Sequence, residues 1–240
     1  MTEPLIEYRF FNLDFNYFLY FQRYFQTRYN DQVRQYEHIE YTQFFKRVLK
    51  QVPKDKLIID IGANSGLFCI PLCLYGYQVL GFEPVKSSLE CLQLGIKSNN
   101  LSNLKLYPYA LYDENITKEI YVPTFADNAS LNEVVSISNV KDKTYTSETI
   151  ECKKLDDIII EENIQNIGFI KIDVQGFEYP VLKGMEQLLR DSKDLFILLE
   201  WDKKHTEMSG YSLDAISGLL HHHGFALFED MGGNKIFKKI

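Results

Sequence analysis

Ile58-Ile59-Asp60-Ile61-Gly62-Ala63-Asn64-Ser65-Gly66-Leu67-Phe68, followed downstream by Phe82-Glu83-Pro84, decides how this chain is read. An apolar strand runs into a glycine-bearing turn, a helix leaves the turn, and a second strand ends in an acid. That is a layout for holding a nucleoside: small residues let backbone approach the ligand, and Glu83 can accept from two ribose hydroxyls. The loop reads Gly-x-Asn-x-Gly, with Asp60 two residues ahead, where a dinucleotide site has Gly-x-Gly-x-x-Gly. Asn64 replaces the glycine that lets a pyrophosphate sit against the backbone. A ligand without phosphates is favoured, and S-adenosylmethionine fits that description.

The 240 residues suit one large domain, or one domain with an appendage. The boundary falls near residue 52, giving an appendage over 1–52 and a main domain over 53–240. A hydrophobic content of 45% with 25% charged residues belongs to a soluble globular protein. A formal net charge of -7 argues against a nucleic-acid partner, because phosphate binding draws on clustered Lys and Arg. The start, Met1-Thr2-Glu3-Pro4, lacks the basic and apolar run of a signal peptide, and no stretch is long and apolar enough to span a membrane. The expected location is the cytoplasm. Cys69, Cys73, Cys91 and Cys152 agree, having no paired spacing of a secreted framework. Cys69 and Cys73 read as small buried residues on a sheet-facing helix stripe, since no further Cys or His lies nearby to complete a metal site.

Residues 1–50 hold 15 of the chain's 33 Phe and Tyr residues, which sets them apart from the rest. Spacings of three and four among Phe11, Phe15, Phe18, Phe21 and Phe25 predict a helix, and a second helix is expected over 31–50, closing before Pro53. This helical extension reads as a cap on the sheet domain, as the contact of a homodimer, or as a lid whose rings line an acceptor pocket.

From residue 57 onward strands and helices alternate, which predicts a parallel sheet covered on both faces. The expected strands are Leu57–Ile61, Gln78–Phe82, Leu104–Tyr107, Gly168–Asp173 and Leu195–Trp201, with helices at Leu67–Tyr75, Lys86–Ser98, Leu155–Glu162, from Glu178 through Leu189, and at Leu213–His222. Glu119–Val122 and Thr149–Cys152 look like an added strand pair joined by a long polar loop over 123–147, a length that marks functional or mobile loops. Phe225–Phe228 and Lys235–Lys238, turned at Gly232-Gly233, are linked too tightly to be parallel. Seven strands closing in an antiparallel hairpin give an α/β, Rossmann-like sheet of the class I methyltransferase variant, whereas a dehydrogenase sheet would continue in parallel.

Asp60-Ile61-Gly62-Ala63-Asn64-Ser65-Gly66, Phe82-Glu83-Pro84, Ala110-Leu111, Ala129-Ser130-Leu131, Lys171-Ile172-Asp173-Val174-Gln175-Gly176-Phe177-Glu178 and Val181-Leu182-Lys183-Gly184 occur in that order. Together they resemble the FkbM-type S-adenosylmethionine-dependent methyltransferases over roughly residues 57–205, most specifically at 171–184. The resemblance implies methyl transfer to a hydroxyl oxygen, often on a sugar or a polyketide-like product. One departure stands out: the family usually has Glu where this chain has Gln175.

Cofactor residues belong at the carboxyl ends of the first strands. Asp60 precedes the turn; Gly62, Asn64 and Gly66 would contact the methionine part and ribose through backbone, and Glu83 the ribose hydroxyls. Tyr109, Ala110 or Leu111 would border the adenine. Asp127, Asn128 and Ser130 would close over cofactor or acceptor, or form an ordinary surface loop. Methyl transfer from a sulfonium is an in-line displacement that depends on alignment. An alcohol acceptor also needs a general base. Asp173 is the first candidate, at the end of the strand beside the first. His205 is the second, on the loop after Glu200, with an imidazole pKa suited to neutral pH. Asp173 could instead be a structural acid bonded to the following turn. Asp173, Glu200 and Asp202 could also gather a divalent ion, although no metal site is assigned. Three consecutive histidines, His221-His222-His223, point in different directions on a helix and so cannot share a metal.

The expected function is S-adenosylmethionine-dependent O-methylation of a carbohydrate-like or secondary-metabolite hydroxyl. The rivals are N-methylation of a small molecule and a non-catalytic scaffold that keeps the cofactor fold. The Asn/Asp-Pro-Pro-aromatic motif of many amino-methylating enzymes is absent after the fourth strand.

Overall fold

Leu57–Ile61 (β3) is apolar on both faces apart from Asp60, and such a strand is satisfied in the middle of a sheet with helices above and below. The computed structural model describes residues 5–12, 15–22, 49–123, 129–136 and 144–240, and places β3 in that position. Its neighbours are β4 (Gln78–Phe82) and β9 (Ile167–Ile172), both parallel to it. Outward from β4 lies β5 (Leu104–Tyr107), and outward from β9 lies β10 (Phe196–Glu200), again parallel. The sheet closes with β12 (Asn234–Lys239), antiparallel to β10, and β11 (Phe225–Asp230) on the outer edge. The order is β11-β12-β10-β9-β3-β4-β5, seven strands with one antiparallel to the rest.

Side chains alternate across this sheet and build two cores. Ile59, Ile61, Ile170, Ile172, Ile197 and Leu199 join Leu155 and Ile158 of α4 (Leu155–Glu161), Val181 and Leu182 of α5 (Glu178–Lys183), Leu189 of α6 (Glu186–Asp191), and Ile216 and Leu220 of α8 (Leu213–His222). Ile58, Val79, Phe169, Phe196 and Leu198 face the other way, onto α1 (Cys69–Leu74) and Leu92 of α2 (Lys86–Ser98). Each fully buried Ile, Leu or Phe contributes about 1.5–3 kcal/mol. Cys69 and Cys73 are buried in this second core, as their spacing predicts.

A smaller sheet stands beside the main one, in the order β6 (Ala110–Leu111), β8 (Tyr145–Lys153), β7 (Ile116–Pro123). The expected pair is therefore longer than its sequence signal and gains a third strand. Tyr112, Ile120, Ile150 and Cys152 pack there against Val85 and Phe177. Of the long loop expected over 123–147, Pro123 belongs to β7 and 145–147 to β8, residues 129–136 are described between them, and Asp127 and Asn128 lie outside the described residues. Ser130 forms a two-way bridge to Tyr121 of β7, and Glu133–Ser136 (α3) makes one helical turn.

The amino-terminal expectation fails over residues 5–22. Leu5–Asn12 (β1) and Phe15–Gln22 (β2) form an antiparallel hairpin, Asn12 opposite Phe15, and β2 lies against α2. The run is so dense in aromatics that spacings of three and four arise alongside spacings of two. Periodicity then cannot discriminate, while Phe and Tyr favour strands. The helix expected over 31–50 falls mainly outside the described residues, and its end, Leu49–Gln51, is a 3-10 turn. A homodimer through amino-terminal aromatic helices loses its basis.

Three smaller differences concern helices. The first helix begins at Cys69 rather than Leu67, because the turn continues through Phe68. A short helix, α7 (Lys203–Met208), follows β10 and carries His205, where a loop was expected; Asp202 caps it by accepting from the His205 N–H. The helix starting at Glu178 breaks at Gly184, whose φ of -73° is ordinary, yet a Cβ there would lie 2.0 Å from the Tyr112 carbonyl oxygen. The break lets β6 and its extension pass across the helix. Gly184→Ala, which in an exposed helix would stabilise, is expected here to cost about 1–3 kcal/mol through forced backbone movement. Urea denaturation checks this, and an unchanged or raised midpoint would contradict the steric account.

Candidate active site

Where β3 ends, the chain turns through three left-handed residues, Gly62 (φ +77°), Asn64 (φ +47°) and Gly66 (φ +92°). Gly62 and Ala63 donate their N–H groups to the Phe82 carbonyl, which ties the turn to the end of β4. The Asn64 N–H donates to Glu83 Oε2 at 2.8 Å, and the Val85 N–H donates to Oε1 at 2.9 Å. Glu83 is thus held at both oxygens beneath the turn. Its burial raises the carboxyl from an ordinary 4.5 to about 7, against the pull of those two N–H groups.

The glycines at this turn are also required by the packing of the protein against itself. A Cβ on Gly62 would sit 2.0 Å from the Asp173 carbonyl oxygen, and one on Gly66 would meet Leu92 Cδ1 at 2.5 Å. Gly62 lets the ends of β3 and β9 touch, and Gly66 lets α2 pack under the turn. Both are close approaches of protein to protein, in addition to left-handed backbone.

Alternation places Asp60 and its cross-strand partner Lys171 on the same face. Lys171 Nζ lies 3.3 Å from Asp60 Oδ1, 3.4 Å from Asp173 Oδ2 and 3.2 Å from the Gly62 carbonyl. Asp60 is fully buried, and desolvation pushes its carboxyl up while Lys171 opposes the shift. Asp173, just past the end of β9, keeps 28% of its side chain exposed.

On its other side Asp173 meets Gln175. The Gln175 Nε2 lies 3.0 Å from Asp173 Oδ1, and 3.1 and 3.2 Å from the two oxygens of Glu200 at the end of β10. Burial, then the charge of Asp173, holds the Glu200 carboxyl well above the usual range. Glu178, at the start of α5, accepts from the Val174 and Gly176 N–H groups and closes the turn; burial raises it to about 7. Ser130 Oγ donates to the Gln175 carbonyl at 3.0 Å, so the described part of the long loop is fastened to this turn. Gln175 and Glu178 were not chosen as site residues from sequence, and Glu200 was named only as one acid of a divalent-ion alternative. The acid at 178 signalled a helix start and position 175 a departure, but hydrogen-bond partners carry no sequence pattern.

Asp60, Gly62, Asn64, Gly66, Glu83 and Asp173 thus gather at the carboxyl ends of β3, β4 and β9, with Ser130 one hydrogen bond behind. His205 is buried in α7, its Nδ1 3.5 Å from Asp202 Oδ2, which corrects the loop position expected for it. Leu111 is buried in the core with Phe82 and Tyr107, while Ala110 is half-buried against the smaller sheet. Tyr109 packs against Phe82 and Tyr107. Asp173 and Glu200 come together around the Gln175 nitrogen, and among the described residues no group of three acids, histidines or cysteines has metal-binding geometry. His221 faces the Phe225 carbonyl and His223 faces Glu186, so the histidine run does diverge.

The strand ends therefore carry Asp60, Glu83, Asp173, Glu200 and Asp202 around one buried lysine, so acids outnumber cations there. Residues 60–227 match the model of the methyltransferase FkbM domain. The chain belongs to that family. The FkbM domain is that of an S-adenosylmethionine-dependent methyltransferase on a class I methyltransferase fold, and the acidic strand ends fit a sulfonium and an ammonium. The chain is 25% identical over 221 residues to the AMB antimetabolite synthetase AmbE of Pseudomonas aeruginosa, covering 79% of this chain and 10% of AmbE. It is 27% identical to the 2-O-methyltransferase NoeI of Sinorhizobium fredii, covering 69% of this chain and 71% of NoeI. Magnesium protoporphyrin IX methyltransferase (ChlM) from Synechocystis PCC 6803, solved with bound SAM, superposes with a TM-score of 0.52 at 11% identity, covering 91% of this chain and 88% of that one. That likeness concerns the fold alone.

The raised carboxyls at the strand ends make stability depend on pH. Glu83 and Glu178 hold their protons more tightly folded than unfolded, so their contribution to stability is greatest below pH 4.5 and is lost as pH rises from about 4.5 to about 7. Glu83→Gln is expected to flatten part of that decline in urea denaturation. A Glu83→Gln curve parallel to that of the wild type across this window would contradict the burial account.

Proposed function

We propose that this chain is an O-methyltransferase that transfers the methyl group of S-adenosylmethionine to a hydroxyl of a carbohydrate-like or secondary-metabolite acceptor. The observation that carries the reading is Asp173: a partly exposed carboxylate at the sheet's carboxyl edge, against Gly62, with Lys171 at one oxygen and Gln175 at the other. The likeness to a 2-O-methyltransferase supports oxygen as the acceptor atom. Residues 53–240 are the methyltransferase domain in this reading and residues 1–52 an appendage to it. No described helix is long and apolar enough to cross a membrane. The chain works in the cytoplasm, in keeping with four cysteines that are all buried.

S-adenosylmethionine, when bound, supplies a methyl group on a cationic sulfur that leaves as a neutral thioether. Glu83 accepts from the ribose hydroxyls with the lone pairs its two backbone donors leave over. The turn from Gly62 to Gly66 shapes the methionine and ribose subsite, with Asp60 fixed beneath it, and Tyr109, Ala110 or Leu111 borders the adenine. Ser130 anchors the turn that follows Asp173. Asp173 takes the hydroxyl proton as the oxygen–carbon bond forms and the carbon–sulfur bond breaks. Asp173 fills this role rather than His205, because the imidazole is buried against Asp202.

S-adenosylmethionine is expected to raise the melting temperature, by the stability that a ligand adds to the folded state alone, and NAD is not. Glu83→Ala should abolish the shift. Asp173→Asn should still show it while losing about 10²–10⁴-fold in turnover, read as a one-methyl mass gain across a panel of hydroxylated glycosides. Stabilisation by NAD alone, a methyl group found on nitrogen, or full turnover in Asp173→Asn would each overturn the corresponding part.

A further inference from the structure

We propose that Gln175 is a positioning residue, whose side-chain amide ties Asp173 to Glu200 and sets the direction in which Asp173 meets the acceptor hydroxyl. The inference rests on the reading of Asp173 as the base. One nitrogen lies within 3.2 Å of both carboxyl groups. The Gln175 Nε2 is the atom that faces the carboxyl oxygens, and the two hydrogens of an amide NH2 match two acceptors.

The backbone is built to keep it there. Gln175 adopts φ +55°, a left-handed conformation that costs a residue with a Cβ roughly 1–2 kcal/mol. Four contacts from three directions hold that turn. Ser130 donates to the Gln175 carbonyl, and Glu178 accepts from the N–H groups on either side, Val174 and Gly176. Gly176 sits so close under α7 that a Cβ would fall 2.6 Å from the His205 carbonyl oxygen. Strain held by so many partners beside a reactive carboxylate points to a role in the reaction.

The chemistry explains why an amide serves. Charged and titratable groups around the pair of Asp173 and Glu200 are Lys171 from β9, Asp60 from β3, Glu178 from α5 and Asp202 at the start of α7. Acids outnumber the cation. A carboxyl at position 175 could bridge only while protonated, whereas an amide donates at every pH. Without a donor the two acids repel, and Asp173 turns away from the direction its bond to Gln175 fixes.

Gln175→Met removes the donor at similar volume, and Gln175→Glu keeps the shape while making the donor depend on pH. In full-length protein with 13C-labelled Asp and Glu carboxyls, NMR reads the titration of Asp173 and Glu200 without any acceptor. Gln175→Met is expected to shift both titrations, and unchanged titrations would overturn the bridge. On a glycoside that the wild type methylates, Gln175→Met should lower kcat about 10–100-fold, the scale of a small misplacement, with KM for S-adenosylmethionine unchanged. Gln175→Glu should recover rate toward acid pH and lose it toward alkaline pH. Wild-type kcat and pH profile in both variants would overturn the positioning role. Asp173→Asn is run alongside: full turnover there sinks the base assignment while the NMR result still decides the bridge.

Discussion

Lys171 is the charge on which both halves of the site depend. Among the described residues it is the one lysine that is buried, and a buried ammonium costs several kcal/mol unless it is paired and hydrogen-bonded. Asp60, Asp173 and the Gly62 carbonyl supply those partners. The requirement runs in both directions. Asp60 has no exposure to solvent, and without the lysine its charge would be stranded in the interior. The middle of the sheet thus stores a polar contact where a purely apolar strand would pack more cheaply. The contact fixes the turn after β3 relative to the turn after β9.

From that junction the site divides into two parts with different physics. Toward β4 the chain holds a carboxyl group, Glu83, with backbone donors, so its position depends on main-chain geometry that side-chain substitutions nearby would barely move. Toward β10 the arrangement is made of side chains: Asp173, Gln175 and Glu200 rest on one another, and on Ser130 and Glu178 through the backbone of the turn. The first part is rigid by construction. The second can be retuned by single substitutions, as the presence of an amide at position 175 illustrates.

Most of the sheet was legible in the sequence because its strands are apolar runs bounded by turn residues, and two fixed periodicities interpret such runs. The strand ends were legible for a related reason: an acid after four apolar residues has few places to go. Residues 5–22 misled because aromatic density satisfied the helical period without excluding the strand period. The roles of Gly62, Gly66 and Gly184 were hidden, since each is set by the backbone of a distant segment. The Gln175 bridge was hidden for the same reason: Glu200 is twenty-five residues away in the chain and becomes a neighbour only through the parallel pairing of β9 with β10.

The parallel sheet also sets the entropy of assembling its two sides. Asn64 reaches Glu83 across 19 residues, but Gly62 reaches Lys171 across 109. By the logarithmic law for flexible loops, the longer closure costs only about 1.5 kcal/mol more than the shorter. Doubling the longer segment would add roughly another 0.6 kcal/mol. The interval between β5 and β9 is therefore a place where chain can be inserted at little thermodynamic cost, and the small sheet of β6, β8 and β7 lies in that interval. The fold can elaborate the wall beside Asp173 without loosening the ion pair that holds Asp173 in place.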